Sequence, residues 1–143
     1  MDDRRLLLEK HYLDDNFPRQ FVFCNISKAK PLLDGNVKSN KGVHYRLKIT
    51  LNNFPEEMPA VYVTYPHPLP GYNIPDLAEV GVSADLHLLD PDPEGHIQIC
   101  HYKGSDWSGN QTLYHIMLHA KIWLDAYEKY MRDGTHLDYY LKH

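Results

Sequence analysis

Cysteine is scarce in this chain of 143 residues, which holds only Cys24 and Cys100. Two thiols without Cys-x-x-Cys spacing cannot staple a domain of this size, so we expect both to be reduced and the protein to be cytoplasmic. Apolar runs are short: none approaches the ~18 residues of a membrane span, and the basic start meets only three leucines, too few for a signal peptide. We therefore expect no membrane partner.

Clusters of lysine and arginine are also lacking, and the formal net charge is -4. A protein that binds nucleic acid usually carries a basic patch, so we expect no nucleic-acid partner. What remains is ordinary globular composition, 43% hydrophobic and 24% charged. No repeat or linker divides the chain, and its length fits one domain spanning residues 1–143.

The local patterns predict a helix at each end with strands between them. Asp2 or Asp3 can cap a helix that runs to about Leu13, and Phe17-Pro18 ends it. A longer helix follows the capping pair formed by Ser108 and Gln111 and stops at Gly134.

Strands are predicted from β-branched and aromatic runs and from alternation of apolar and polar residues. They cover Phe21–Ile26, Val43–Leu51, Val61–Thr64 and Ile97–Ile99. Residues 28–42 have the composition of turns and loop, and the proline-dense stretch 65–95 is expected to be an irregular functional loop. The order of these elements indicates an α+β fold with an antiparallel sheet.

Cys100 is the strongest candidate for chemistry. It follows a short apolar strand and precedes a polar loop, so its thiol can be held by backbone and still meet solvent. His101 is adjacent, and His96 lies four residues away on the same face of a regular strand. Most free cysteines are small buried hydrophobes, which is the alternative here and our interpretation of Cys24.

The segments around Cys100 resemble the motifs of ubiquitin-conjugating enzymes. FPEEMPAV (54–61) is similar to the family's Tyr-Pro-x-x-Pro-Pro-x-Val, with Pro55 and Pro59 on family prolines. IQICHYKGSDWS (97–108) is similar to Gly-x-Ile-Cys-Leu followed by Trp-Ser-Pro, which puts Cys100 on the thioester cysteine and Trp107 and Ser108 on the Trp-Ser pair.

Other positions depart from the family pattern. Where the family has His-Pro-Asn, this chain has Asp90-Pro91-Asp92, and an ionised Asp92 cannot donate a hydrogen bond to an oxyanion. About twenty extra residues (64–87) separate the proline motif from this site, and the terminal helices of eukaryotic members are missing. Such truncated chains are most similar to the conjugating-enzyme-like proteins of bacterial antiphage (CBASS-type) operons.

The resemblance implies a UBC-like fold: N-terminal helix, antiparallel β-meander, active-site loop and long crossover helix. It further implies a cysteine-dependent transferase without cofactor or metal. In this reading Cys100 accepts a C-terminal glycine as a thioester and passes it to an amine. His101 or His96 assists the proton transfers, while Asp90 and Asp92 shape the loop or orient and deprotonate a lysine.

The implied partner has a flexible tail ending in glycine. It is a ubiquitin-like protein or a cyclic-oligonucleotide nucleotidyltransferase, served by a separate activating enzyme if one is needed. Arg4, Arg5 and Lys10 on the first helix form a weak partner-binding patch, although such residues are usually a solvated helix face.

Several alternatives stay open on the sequence alone. A non-catalytic module that binds ubiquitin-like proteins is the second hypothesis, favoured by the loss of His-Pro-Asn and opposed by the retained cysteine. A metal-dependent hydrolase rests only on histidine abundance. His115 and His119 have the spacing of a helical zinc pair, but we interpret them as packing residues of the helix. Trp107 and Trp123 are predicted to be core anchors.

Overall fold

The computed structural model describes residues 1–101 and 106–141. Two helices stand near the ends of this region, α1 (Asp3–Asn16) and α2 (Leu113–Asp133). Single 3-10 turns cover Leu77–Val80 and Leu137–Tyr139. Six strands lie between the helices: β1 (Phe21–Cys24), β2 (Leu32–Lys38), β3 (His44–Thr50), β4 (Val61–Tyr65), β5 (Leu88–Leu89) and β6 (Ile97–Ile99).

The strands form one antiparallel sheet in the order β1-β2-β3-β4-β6-β5. The first four are joined as a meander, and β6 then adds to the free edge of β4, with Val61 opposite Ile99. β5 closes that edge as the outermost strand. The predicted α+β class with an antiparallel sheet is confirmed.

One face of the sheet is apolar and carries α2. Along β3, Tyr45, Leu47 and Ile49 are buried, whereas His44 and Arg46 are exposed. This is the period-2 alternation predicted for the strand, and it places the core between the sheet and one long helix. In α2 the buried positions recur at helical spacing: Leu113, Ile116, Met117, Ala120, Trp123, Leu124 and Tyr127. Trp123 is 1% exposed, as predicted for a core anchor.

The prediction that residues 28–42 are turn and loop is wrong, because Leu32–Lys38 is a full strand. Leu33 and Val37 point into the core. Gly35 does not mark a turn: a Cβ atom there would lie 1.9 Å from the ring of Phe21, its partner in β1. The glycine makes room for an aromatic ring lying across the strand.

Several predicted boundaries also move. α1 continues three residues past Leu13, with Asp2 as its N-cap and Phe17 at its end. β1 stops at Cys24, where Asn25 adopts a left-handed φ of 58°. α2 is capped by Thr112, whose side chain accepts from the His115 N–H, whereas Ser108 Oγ accepts from the Asn110 N–H in the preceding turn. Gly134, with a φ of 77°, ends α2 as predicted.

Within the described residues, neither helix combines the length and hydrophobicity needed to cross a bilayer.

Candidate functional site

Cys100 directly follows the last residue of β6 and lines two cavities. Its N–H donates to the carbonyl of His87 at 2.9 Å, which fixes the backbone, and its side chain is half-buried. One cavity, of about 210 Å³, is lined also by His101, His119 and Trp123. The other, of about 470 Å³, is lined also by Ser83, His87 and Asp138. A held backbone with space on both sides suits a residue that must form a covalent intermediate.

His87 is a functional candidate that the sequence analysis missed. His87 immediately precedes β5, and its carbonyl accepts from the Cys100 N–H at 2.9 Å, so the two residues are backbone neighbours. Both also line the cavity of about 470 Å³. The His87 side chain is 5% exposed and donates from Nε2 to Asp138 Oδ1 at 2.8 Å. That bond leaves Nδ1 as the basic nitrogen of the neutral ring.

The chain bends to bring this pair together. Ser83 and Leu88 form an isolated bridge around a turn, and His87 within it has a φ of 50°. Asp138 arrives from the 3-10 turn after α2, where its N–H donates to the carbonyl of Asp85 at 2.9 Å. No local signal marks a histidine in such a turn, and its partner is 51 residues away.

His101 is adjacent to Cys100, and its ring bonds the segment that precedes β4. The imidazole is buried and donates from Nε2 to the carbonyl of Pro59 at 2.9 Å. Its own carbonyl accepts from His119 Nδ1 at 2.8 Å. These two bonds link the proline motif to α2 through His101.

Pro55 and Trp107, two of the predicted supports, are in contact. Trp107 Nε1 donates to the Pro55 carbonyl at 3.0 Å, and its ring lies 6.2 Å from that of Phe54. Trp107 is half-buried, so the prediction of a core anchor is only partly met. Ser108 is exposed. The motif that precedes β4 and the one that follows Cys100 thus support each other through backbone and ring contacts.

Asp92 is held at the centre of a polar cluster on the solvent face of the sheet. Oδ1 accepts from the N–H groups of Glu94 and His96, and Oδ2 accepts from Lys48 Nζ and His96 Nδ1, each at 2.8–2.9 Å. Burial alone would raise the pKa of Asp92, but the hydrogen bonds from Lys48 and His96 outweigh it and hold the pKa far below its usual range. Of the two predicted roles, this geometry supports shaping the loop and does not suit deprotonating a lysine.

His96 belongs to the Asp92 cluster and not to the surroundings of Cys100. Its ring lies 4.6 Å from that of His67, measured between centroids. Four residues of strand separate His96 from Cys100, about 13 Å at 3.3 Å per residue. At that separation the two are too far apart for direct proton transfer. Asp90 is exposed between the two regions.

Arg5, predicted in a partner-binding patch, is instead a structural residue. Its side chain is 18% exposed and bonds Glu9 Oε2, the Gly109 carbonyl and the Gln111 carbonyl at 2.5–2.8 Å. Arg5 therefore ties α1 to the segment leading into α2. Arg4 and Lys10 are exposed, as a partner patch requires, although Lys10 also lies over the ring of Phe23.

Glu9 was missed by the sequence analysis. It is fully buried, and Oε1 accepts from the N–H of Leu113, the first residue of α2, at 2.7 Å. A carboxylate at this point satisfies an otherwise unpaired N–H and lies at the positive end of the helix dipole.

Among residues 1–101 and 106–141, no group of three or more histidine, cysteine, aspartate or glutamate side chains is arranged to hold a metal ion. The chain matches no protein-family model, no curated protein and no solved structure. The site is therefore interpreted from its own geometry.

Proposed function

We propose that this protein is a ubiquitin-conjugating-type transferase in which Cys100 carries an acyl group as a thioester. The observation that carries the proposal is that Cys100 lines one cavity with His87 and Asp138, whose side chains are bonded to each other, while its N–H bonds the His87 carbonyl. A thiol, an imidazole and a carboxylate in one cavity are the components of an activated nucleophile.

The order of elements supports the family part of the proposal. A helix, a four-stranded antiparallel meander, a cysteine at a strand exit and a long helix follow one another as the motif resemblance implies. The contact between Trp107 and the Pro55 carbonyl joins the two segments that carry the resemblance. A match made of separate motifs gains weight when those motifs meet in space.

The proposed reaction has two transfers. In the first, the Cys100 thiolate attacks the activated carbonyl of a C-terminal glycine; the sulfur–carbon bond forms, and the bond to the activating enzyme's thiol or to AMP breaks. In the second, an amine attacks the thioester; the nitrogen–carbon bond forms, the thiolate leaves, and the amine loses a proton to a base. ATP, consumed by the activating enzyme, supplies the energy of the thioester.

His87 is proposed as the base for these proton transfers. Asp138 accepts from Nε2, so it fixes the ring orientation and stabilises the imidazolium formed when Nδ1 takes a proton. Asp92, in the family's asparagine position, is proposed to fix the loop, since both its oxygens are occupied by hydrogen bonds.

The transferred partner is proposed to end in a flexible glycine tail, as the motif resemblance implies, and such a tail could reach a half-buried thiol. A ubiquitin-like protein or a cyclic-oligonucleotide nucleotidyltransferase of a bacterial antiphage operon fits that description, and we place the reaction in the cytoplasm. A non-catalytic binding module is the second candidate. It is favoured by the absence of an amide donor at position 92, where the carboxylate accepts four hydrogen bonds.

The test is adduct formation with the glycine-tailed partner, the activating enzyme and ATP. A higher-mass adduct that dithiothreitol removes is expected for the wild type and for Cys24→Ser. Cys100→Ser should give no adduct or a thiol-resistant one. An adduct that forms equally well in Cys100→Ala would refute thioester chemistry at this residue.

The base is tested separately. His87→Ala should slow adduct formation by about 10²–10⁴-fold at neutral pH, and Asp138→Asn should slow it by less. His136→Ala is the matched control, because His136 and Asp85 form a similar but exposed pair 3.5 Å apart on the same surface. Equal rates in His87→Ala and His136→Ala would remove His87 from the mechanism while leaving Cys100 in place.

A further inference from the structure

Two histidines on α2 present their ring nitrogens to each other beside the Cys100 cavity. His115 Nε2 and His119 Nε2 are 3.1 Å apart, and the ring centroids are separated by 4.7 Å. His115 is exposed and His119 is half-buried. The interpretation of both as packing residues of the helix is therefore wrong for His115, because its ring does not enter the core.

The protonation of this pair follows from its other hydrogen bonds. His119 Nδ1 donates to the carbonyl of His101 at 2.8 Å, so a neutral His119 is unprotonated at Nε2. A metal ion binds an unprotonated ring nitrogen, and Nε2 of the neutral His119 is such a nitrogen.

We propose that His115 and His119 form a two-imidazole site for a divalent transition-metal ion of the zinc class, with both Nε2 atoms as ligands. Zinc–nitrogen bonds of about 2.05 Å place two ligand atoms about 2.9 Å apart at a right angle and about 3.3 Å apart at the tetrahedral angle. The 3.1 Å separation lies between these values. The ion replaces the proton that the two nitrogens otherwise share.

Both histidines are held in place by hydrogen bonds, as metal-binding histidines usually are. Metal-binding histidines usually donate their second ring nitrogen to a carbonyl or carboxylate, which fixes the ring, and the His101 carbonyl does this for His119. His115 is fixed by the helix itself, since its N–H donates to the capping Thr112.

The location gives the site a consequence for the neighbouring cysteine. His119 lines the same cavity of about 210 Å³ as Cys100. A bound ion adds two positive charges at the edge of that cavity. The site is distinct from the proposed base, because His87 and Asp138 line the cavity on the other side of Cys100.

The test is calorimetric titration with zinc chloride at pH 7.5 in a buffer that does not bind zinc. The wild type should show a site that weakens at least about tenfold in both His115→Ala and His119→Ala, because each change removes one of two ligands. His11→Ala is the matched control: His11 is an exposed helical histidine whose i+4 neighbour is Asp15, 3.2 Å away. It should bind zinc as the wild type does.

Three results would overturn the proposal. The first is the absence of a site that His115→Ala weakens, and the second is equal weakening by His11→Ala. The third is loss of the site in Cys100→Ser, which would make the thiolate a ligand and the two-imidazole assignment wrong. Copper(II) adds an independent readout by electron paramagnetic resonance, where two coupled nitrogens are expected in the wild type and one in His115→Ala.

Discussion

Replacing Glu9 by alanine should destabilise the protein more than any surface substitution, because this carboxylate joins three parts of the fold. It is fully buried in α1, accepts from Arg5 Nε at 2.8 Å, and accepts from the N–H of Leu113 at 2.7 Å. Arg5 in turn bonds the carbonyls of Gly109 and Gln111. Removing the carboxylate therefore leaves the Leu113 N–H without its acceptor and the largely buried Arg5 guanidinium without its ion-pair partner.

The expected loss can be worked out from these contacts. A hydrogen bond to a charged group contributes about 1.5–3 kcal/mol, and breaking a buried ion pair by removing one partner costs about 3–5 kcal/mol. Arg5 keeps its two carbonyl acceptors, which places Glu9→Ala near the lower end, at about 3–4 kcal/mol. Glu9→Gln keeps an acceptor for the Leu113 N–H and loses the ion pair, so about 1.5–3 kcal/mol is expected.

The measurement is urea denaturation, with the unfolding free energy obtained by linear extrapolation. Glu57→Ala serves as the control, because Glu57 is an exposed glutamate that accepts a hydrogen bond from the Asn53 side chain at 3.0 Å. It should change the free energy by less than about 0.5 kcal/mol. A loss below about 1 kcal/mol for Glu9→Ala, or equal losses for the alanine and glutamine variants, would refute the reasoning.

Three further predictions concern the polar cluster, the tryptophan and the glycine in the sheet. The pKa of Asp92 is lower in the folded than in the unfolded protein. Its carboxylate therefore stabilises the fold above the unfolded pKa of about 3.9, and this stabilisation is lost as pH falls through the folded pKa. Between pH 6 and pH 3, Asp92→Asn should lose less unfolding free energy than the wild type, and equal losses would contradict this. Trp107→Ala should cost about 2–3 kcal/mol in urea denaturation, below the 3–5 kcal/mol of a fully buried tryptophan, and a neutral substitution would mean that the bond to Pro55 is not formed in solution. Gly35→Ala should lower the unfolding free energy by about 1–3 kcal/mol, because the Phe21 ring must move to make room for the methyl group. No change would mean that the Phe21 ring does not pack against Gly35.

The sequence predicts the parts of this fold that depend on local pattern. In β3 the apolar residues alternate, and in α2 they recur at helical spacing. In both elements this spacing indicates which residues enter the core. The same local reasoning fails to predict β2, because Asp34-Gly35-Asn36 is typical of a turn. Its place in the sheet depends on pairing with β1 and on the Phe21 ring, which are contacts between segments that no single window contains.

In the candidate site, too, some residues could be predicted from the local sequence and others could not. Cys100 could be found from its local motif and its position after an apolar run. Glu9 and Arg5 could not, because a glutamate and an arginine in a helix are usually solvated, and only the approach of the Leu113 N–H explains why they are buried. The prediction that His96 shares a face with Cys100 says nothing about distance along the strand, and His96 belongs to the Asp92 cluster.

Under the proposed function, the two departures from the family pattern supply the same pair of residues. The extra stretch 64–87 ends at His87, whose carbonyl bonds the Cys100 N–H and which lines a cavity with Cys100. The 3-10 turn after α2, in the part of the chain where eukaryotic members have further helices, supplies Asp138. The position that holds the family's asparagine is meanwhile occupied by Asp92, which is committed to Lys48 and His96. In this chain, proton transfer at the thiol would replace hydrogen bonding to the oxyanion as the protein's main contribution to the reaction.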